Sequence, residues 1–320
     1  MANRRHPLLR YLAISFACAS AVSVQRADAI SIVFDYAYDT RGFFTDEVSG
    51  EPIEERRAVL DQAASFYAGF LDQLALIAPQ SGDSWSVSFG HPSLDGGSIT
   101  ITDETIAADS LRVFVGGSPS APGVLGFADN GFNLMATGSD DFVSSVENRG
   151  QDPVVDFAPW GGRIWFNASA NWYFGADEAG LQEGQNDFLT TAIHELAHIL
   201  GFGSAPTWND NVDADGFFVG LASLDAFGAP VPLDQFEAHW AEGVMSDVRG
   251  VPQETLMDPS TPAGTRQLLT TLDYAGLADI GWQPAAVPLP SPLILLASAL
   301  GVALTTRRRH PLPIPHASGV

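Results

Sequence analysis

Lysine is missing from this 320-residue chain. Its 15 basic residues are all arginines, against 38 aspartates and glutamates, which gives a formal net charge of −23. A surface this acidic repels nucleic acid and anionic lipid and favours cations, so we expect no nucleic-acid partner. Cysteine is almost absent as well. The only one, Cys18, lies in an N-terminal segment that we expect to be removed, so the mature chain would contain neither a disulfide nor a thiol.

Residues 1–29 have the three regions of a secretory signal. Three arginines come first, the apolar stretch Tyr11–Val24 follows, and Ala27-Asp28-Ala29 fits the small-x-small pattern of a cleavage site. We therefore expect a signal peptidase to process the chain and the protein to be exported. The alternative is a buried N-terminal helix.

Residues 285–320 form a second predicted targeting segment. Val287–Pro292 (VPLPSP) precedes the apolar stretch Leu293–Thr306, and three arginines follow it. The arrangement predicts a transmembrane helix and resembles the PEP-CTERM sorting signal, although VPLP replaces its Pro-Glu-Pro triplet. That resemblance implies an exosortase-type processing enzyme and delivery to the surface or exterior of a Gram-negative cell, with membrane contact only before processing. The alternative is a plain C-terminal anchor.

The body that remains, residues 30–284, is large enough to bury a full core without disulfides. Removing the two ends leaves 15 − 4 − 3 = 8 basic and 38 − 1 = 37 acidic residues, a net charge of −29. We expect one catalytic domain here, with an N-terminal lobe at about 30–203 and a C-terminal lobe at about 204–284.

The segment Thr190–Gly203, TTAIHELAHILGFG, carries the clearest chemical motif. His194 and His198 lie four residues apart, which places both imidazoles on one face of a helix, one turn apart. Glu195 lies beside them, where a carboxylate can take a proton from water. This H-E-x-x-H arrangement is typical of zinc hydrolases and predicts one catalytic Zn²⁺.

A catalytic zinc needs a third protein ligand. Ser204 stands where an extended form of the motif has a histidine, and a serine hydroxyl binds zinc poorly. Outside the motif, the body contains only His91 and His239. His91 precedes a proline in a predicted turn and is interpreted as a surface residue, so we rank His239 first. Four aspartates rank below it as oxygen ligands: Asp210, Asp213, Asp215 and Asp225.

The remaining patterns predict an α+β fold with a twisted mixed sheet and long helices. Strands are predicted at Ile30–Tyr36, Trp85–Phe89, Ser98–Thr102, Leu111–Val115 and Gly161–Asn167. Helices are predicted at Pro52–Ile77 and Thr270–Ile280. The composition of residues 116–162 indicates mostly loop. The strand that follows, residues 161–167, is expected to form the sheet edge over the cleft.

At this point the sequence resembles a known family. HELAHILGFG, an insertion, His239-Trp240, Leu256-Met257 and a closing LDYAGLADIGW together resemble leishmanolysin and its bacterial relatives, over roughly Gly161–Trp282. The resemblance implies a metzincin-like zincin with the active-site helix at the cleft between two lobes. It also implies His194, His198 and His239 as ligands, Glu195 as base and Met257 as the methionine of the turn beneath the metal. The disulfides and the cysteine-containing propeptide of that family have no counterpart here.

A calcium loop is a further possibility. Asn211, Asp213 and Asp215 alternate before Gly216, as in the first half of an EF-hand loop, and such a loop would bind Ca²⁺. Ala222 stands at position twelve, where a bidentate glutamate is expected. A solvated acidic loop is the alternative.

These features predict a secreted or surface zinc-dependent endopeptidase acting on protein or peptide. A metal-activated water would attack the peptide bond, with Glu195 as general base. One alternative is a non-catalytic surface or exopolysaccharide-matrix protein that keeps a zinc-binding zincin fold. Another is a zinc hydrolase acting on a substrate other than protein.

Overall fold

A computed structural model describes residues 28–72, 74–93, 96–149, 157 and 159–284. Residues 1–27 of the predicted signal sequence and the whole of segment 285–320 lie outside the described residues. The predicted transmembrane helix requires correction. None of the helices in the described part is both long enough and apolar enough to cross a bilayer, and the segment for which the helix was predicted is not described.

The fold is mixed α and β, with several small sheets and six α-helices in the described part of the chain. The strands are β1 (Asp28–Ala29), β2 (Ser31–Asp35), β3 (Phe70–Asp72), β4 (Ser84–Gly90), β5 (Ser98–Thr102), β6 (Ser110–Ser118), β7 (Gly126–Asp129), β8 (Phe132–Thr137), β9 (Gly161–Asn167), β10 (Trp172–Tyr173), β11 (Asn186–Asp187), β12 (Phe217–Phe218), β13 (Val231–Pro232), β14 (Met245–Val248), β15 (Val251–Glu254) and β16 (Gln283–Pro284). The helices are α1 (Glu54–Ser65), α2 (Asp140–Glu147), α3 (Phe188–Ile199), α4 (Pro206–Asn209), α5 (Leu221–Phe227) and α6 (Thr271–Asp279).

The largest sheet has the strand order β2-β6-β9-β7. Its first three strands are parallel, whereas β7 pairs antiparallel with β9 and forms one edge. Strand β6 is buried along almost its whole length, which explains its nearly continuous apolar sequence. The prediction that residues 161–167 form the edge is wrong, because β7 from the predicted loop region covers β9. Helix α3 packs against β7 and β9, so the edge strand and the H-E-x-x-H helix are neighbours.

A second, antiparallel sheet has the order β5-β4-β8. Along β4, buried and half-buried residues alternate, as expected of a strand with one face on the core. Trp85, Val87 and Phe89 face inward and pack with Phe114 of β6 and with Trp160 in a separate apolar cluster. The region predicted as loop therefore contributes two strands and helix α2.

The predicted helix at residues 52–77 is shorter in the structure. Helix α1 ends at Ser65, the chain turns through residues 66–69, and Phe70 begins a strand that pairs with β1 and β16. Gly69 lowers helix propensity at this point, and strand pairing then uses the backbone groups that a longer helix would need. The buried hydroxyl of Tyr67 donates to the Ile193 carbonyl at 2.6 Å, which ties this turn to α3.

The closing helix is confirmed at residues 271–279. Its first turn is a capping box, in which the Thr270 hydroxyl accepts from the Asp273 amide and the Asp273 carboxylate accepts from the Thr270 amide. Trp282 follows it, fully buried, and its indole donates to the Leu200 carbonyl at 2.6 Å. The bond from Trp282 attaches the segment after α6 to the end of α3.

Candidate metal centre

The H-E-x-x-H segment lies on α3, a helix that is buried on nearly every side. Asp187 caps its start by accepting hydrogen bonds from the Thr190 amide and hydroxyl at 3.1 and 2.7 Å. Arg266 forms a two-pronged ion pair with the same buried carboxylate at 2.7 and 2.9 Å. The cap and the ion pair hold the helix end in place, which fixes the direction of its side chains.

Three imidazoles meet at the C-terminal half of this helix. His198 Nε2 lies 3.1 Å from His194 Nε2 and 3.1 Å from His239 Nε2. Two tetrahedral nitrogen ligands at a Zn–N bond of about 2.0–2.1 Å lie about 3.3 Å apart. Both measured separations are close to that value, and the three donor atoms belong to the residues that the sequence analysis selected as ligands.

The other ring nitrogen of each histidine has an oxygen partner. His194 Nδ1 lies 2.9 Å from the Leu256 carbonyl, and His198 Nδ1 lies 2.8 Å from the Phe202 carbonyl. A carbonyl only accepts, so Nδ1 carries the proton and Nε2 presents its lone pair. Burial lowers the pKa of His194 well below its usual range and that of His198 to about 4. Both rings are neutral at pH 7, as metal ligands must be.

His239 is oriented by Asp234, which the sequence analysis did not identify. One carboxylate oxygen lies 3.2 Å from His239 Nδ1, and the other accepts from the Ala238 amide at 2.9 Å and the His239 amide at 3.3 Å. The same aspartate therefore shapes the loop and aims the ring. Gly203 lets this loop approach α3, because its φ is +71° and a Cβ there would lie 2.0 Å from the Ala238 carbonyl oxygen.

Glu195 is 5% exposed, and burial raises its pKa to about 8, against a smaller opposing attraction from Arg163. It lies against strand β7, since a Cβ on Gly126 would be 2.6 Å from its Oε1. A carboxyl with its pKa near neutrality can both take and return a proton.

Met257 is fully buried in the turn that follows β15, and its role as the methionine of a turn beneath the metal stays a prediction. Its carbonyl accepts from the Trp240 amide at 2.9 Å, and the preceding Leu256 supplies the carbonyl that orients His194. Asp273 holds the turn: it accepts from the amides of residues 256 and 257 and from the Trp240 indole at 3.0 Å. Sequence analysis missed Asp273, although its place in a capping box was readable.

A cleft of about 980 Å³ opens onto these groups. Its walls include the three histidines, Glu195, the edge strand 126–129, residues 169–171 and residues 259–261. The cleft is large enough for an extended chain segment, and the reactive groups lie in its wall.

Among the described residues, the other residues considered as ligands are not grouped with the imidazole cluster. His91 Nδ1 accepts from the Ser93 amide at 3.1 Å, and its ring contacts Tyr38. In the predicted calcium loop, the side-chain amide of Asn211 donates to the Thr207 carbonyl at 2.8 Å. One Asp213 oxygen accepts from the amides of Asp215 and of residue 217 at 2.9 and 3.0 Å. Calcium binding by Asn211, Asp213 and Asp215 stays a prediction.

A protein-family model described as SPBPB7E8-like matches residues 156–235, which are 80 of the 320 residues. The match includes His194, Glu195 and His198 and ends four residues before His239. None of the curated proteins matches the chain.

Proposed function

We propose that the protein is an exported zinc-dependent endopeptidase with a metzincin-like zincin fold. The observation that carries this proposal is the convergence of three imidazole Nε2 atoms beside a buried glutamate, in the wall of an open cleft. His194, His198 and His239 would hold the ion, and each has an oxygen partner on its Nδ1. Three imidazole nitrogens with one side open to a cleft are the donor set of a catalytic zinc rather than of a structural one.

Zinc, when bound, supplies a Lewis acid that polarises a carbonyl group and makes water more acidic. The chain supplies the rest. Glu195 would take the proton from the attacking water and give it to the leaving amine. The open edge of β7 lies along the same cleft, where backbone N–H and C=O groups can pair with an extended peptide. This favours protein over a small-molecule substrate.

The test is to purify the protein and measure bound zinc and casein hydrolysis in parallel. We expect about one zinc per chain and cleavage that a chelator stops and added zinc restores. His239→Ala should lose both zinc and cleavage, while His91→Ala, outside the cluster, should keep both. Cleavage by the zinc-free protein would contradict the proposal. If the protein binds zinc but cleaves none of the tested proteins, the result would favour a non-catalytic matrix protein or an enzyme with a non-peptide substrate.

A further inference from the structure

Besides the imidazole cluster, the structure has a group of three acidic side chains at the base of the hairpin formed by β14 and β15. Glu242 precedes β14, Glu254 ends β15, and Asp258 follows four residues later. One carboxylate oxygen from each lies within 4.8 Å of the others. Glu242 is exposed, Glu254 is half-buried and Asp258 is fully buried.

The carboxylate of Asp258 has only one of its oxygens satisfied. Its Oδ1 accepts from the Ser260 amide at 3.0 Å, whereas Oδ2 is buried and no donor group among the described residues reaches it. The side-chain partner of Asp258 is another acid, the carboxyl of Glu254. Buried carboxylate oxygens are rarely left in this state, because desolvation without compensation is costly. An oxygen of this kind within a carboxylate cluster is therefore evidence of a missing positive partner.

Within the part of the chain that the structure describes, no residue supplies that partner. No ion pair found among the described residues reaches any of the three carboxylates, and the sequence contains no lysine. The hydroxyl of Ser260 donates to Glu242 at 2.8 Å, which fixes the exposed member of the cluster near the buried one. The neutralising group must therefore come from solvent, as a cation or as a proton.

We propose that Glu242, Glu254 and Asp258 bind one calcium ion. Carboxylate oxygens are the ligands that calcium prefers, at about 2.3–2.6 Å, so oxygens up to about 4.8 Å apart can share one ion. Water can fill the remaining positions, since Glu242 is exposed. This site is separate from the loop at residues 211–216.

The position of this proposed site indicates which parts of the chain a bound calcium ion would connect. Glu242 comes two residues after Trp240, whose amide bonds to the Met257 carbonyl, and Asp258 follows Met257 directly. A cation between the two carboxylates would join the segment that carries His239 to the turn that orients His194. Calcium would thus stabilise the folded protein, whether or not the imidazole cluster holds a metal.

The experiment is a calcium titration of the purified, zinc-loaded protein at pH 8, by calorimetry and thermal unfolding. We expect one Ca²⁺ per chain and a rise in Tm of about 5 °C or more at a hundredfold excess over Kd. Asp258→Asn and Glu254→Gln should lose both effects. Asp258→Asn keeps the shape of the side chain and an oxygen that can accept from the Ser260 amide, so this variant should fold, and circular dichroism checks that it does.

Asp213→Asn is the matched control, since it removes a carboxylate from the predicted calcium loop instead. It should bind calcium and gain stability as the parent does. Calcium binding that survives Asp258→Asn and is lost in Asp213→Asn would overturn the proposal in favour of that loop. No binding and no shift in Tm at millimolar calcium would also overturn it, and a shared proton would then neutralise the cluster. Because the readouts are calcium binding and Tm, the result does not depend on the proposed peptidase activity.

Discussion

Gly126 on the edge strand lies directly against the carboxylate of Glu195. A Cβ built at Gly126 would lie 2.6 Å from Glu195 Oε1 and 2.9 Å from its Cδ, inside any real contact distance. The Glu195 carboxylate can occupy this position only because the neighbouring strand has a glycine here and therefore no side chain. This relationship connects the sheet edge to the proposed base.

Gly126→Ala should displace the Glu195 carboxylate without touching an imidazole. We expect zinc content to stay at the parent level and the rate of casein hydrolysis to fall about a hundredfold, because reactive groups tolerate little displacement. Gly69→Ala is the control, since nothing lies within 4 Å of a Cβ there. Full activity in Gly126→Ala would mean that the position of Glu195 does not matter for the reaction.

Glu195→Gln tests the role of the carboxylate itself. The amide has the same shape but cannot take a proton, so we expect bound zinc to be retained and kcat to fall by a factor of about 10²–10⁴. Glu237→Gln, a change at another glutamate in the same half of the chain, should leave both unchanged. Zinc content and the rate of casein hydrolysis are measured in parallel for the parent and both variants. If Glu195→Gln cleaves casein at the parent rate, Glu195 is not the general base.

The parts of the site that sequence analysis could predict are those with local signals. Helix α3 and the closing helix α6 carry apolar residues at helical spacing with capping residues beside them, and the choice of His239 followed from the small number of histidines. Strand β7 was missed because GFAD has four residues in a Gly-rich region, so its pairing depends on β9. Asp273 could be predicted as a capping residue, but its other partners lie 16 to 33 residues away and have no local signal. Asp234 lies only five residues from His239, but an aspartate at that spacing in a loop forms no recognisable motif.

Asp273 is not part of the imidazole cluster, but we expect its substitution to lower both the stability of the fold and the zinc affinity. Its buried carboxylate accepts from Trp240, from the amides of residues 256 and 257, and from the amide and hydroxyl of Thr270. Asp273→Asn places an amide N–H₂ opposite some of these donors. We expect a loss of about 2–4 kcal/mol in the free energy of unfolding, and zinc affinity lower by a factor of about 10–100.

Denaturant unfolding and competition with a zinc chelator measure the two effects of Asp273→Asn. Asp140→Asn, at an exposed position in the first turn of α2, is the control and should change neither by much. A variant that loses stability but keeps the parent zinc affinity would show that Asp273 supports the fold without orienting the ligands.

The acidic cluster predicts an unusual dependence of stability on pH. Burial raises the pKa of Asp258 from 3.8 to about 8, with further contributions from repulsion by Glu254, a hydrogen bond with the Glu254 carboxyl and repulsion by Glu242. Between these two values the folded state binds a proton that the unfolded state has released, so stability falls as the pH rises from about 4 to 8. In calcium-free buffer, Asp258→Asn should therefore flatten this slope and be more stable than the parent at pH 8.

Calcium should reverse that order at pH 8, because it stabilises only the chain that keeps the carboxylate. Glu195 also has a raised pKa, but it is present in both proteins, so its contribution cancels from the difference between them. Thermal unfolding at several pH values, with and without calcium, provides the comparison. Parallel slopes for parent and variant would show that Asp258 does not titrate in this range. A calcium response that is equal in both would place the ion elsewhere.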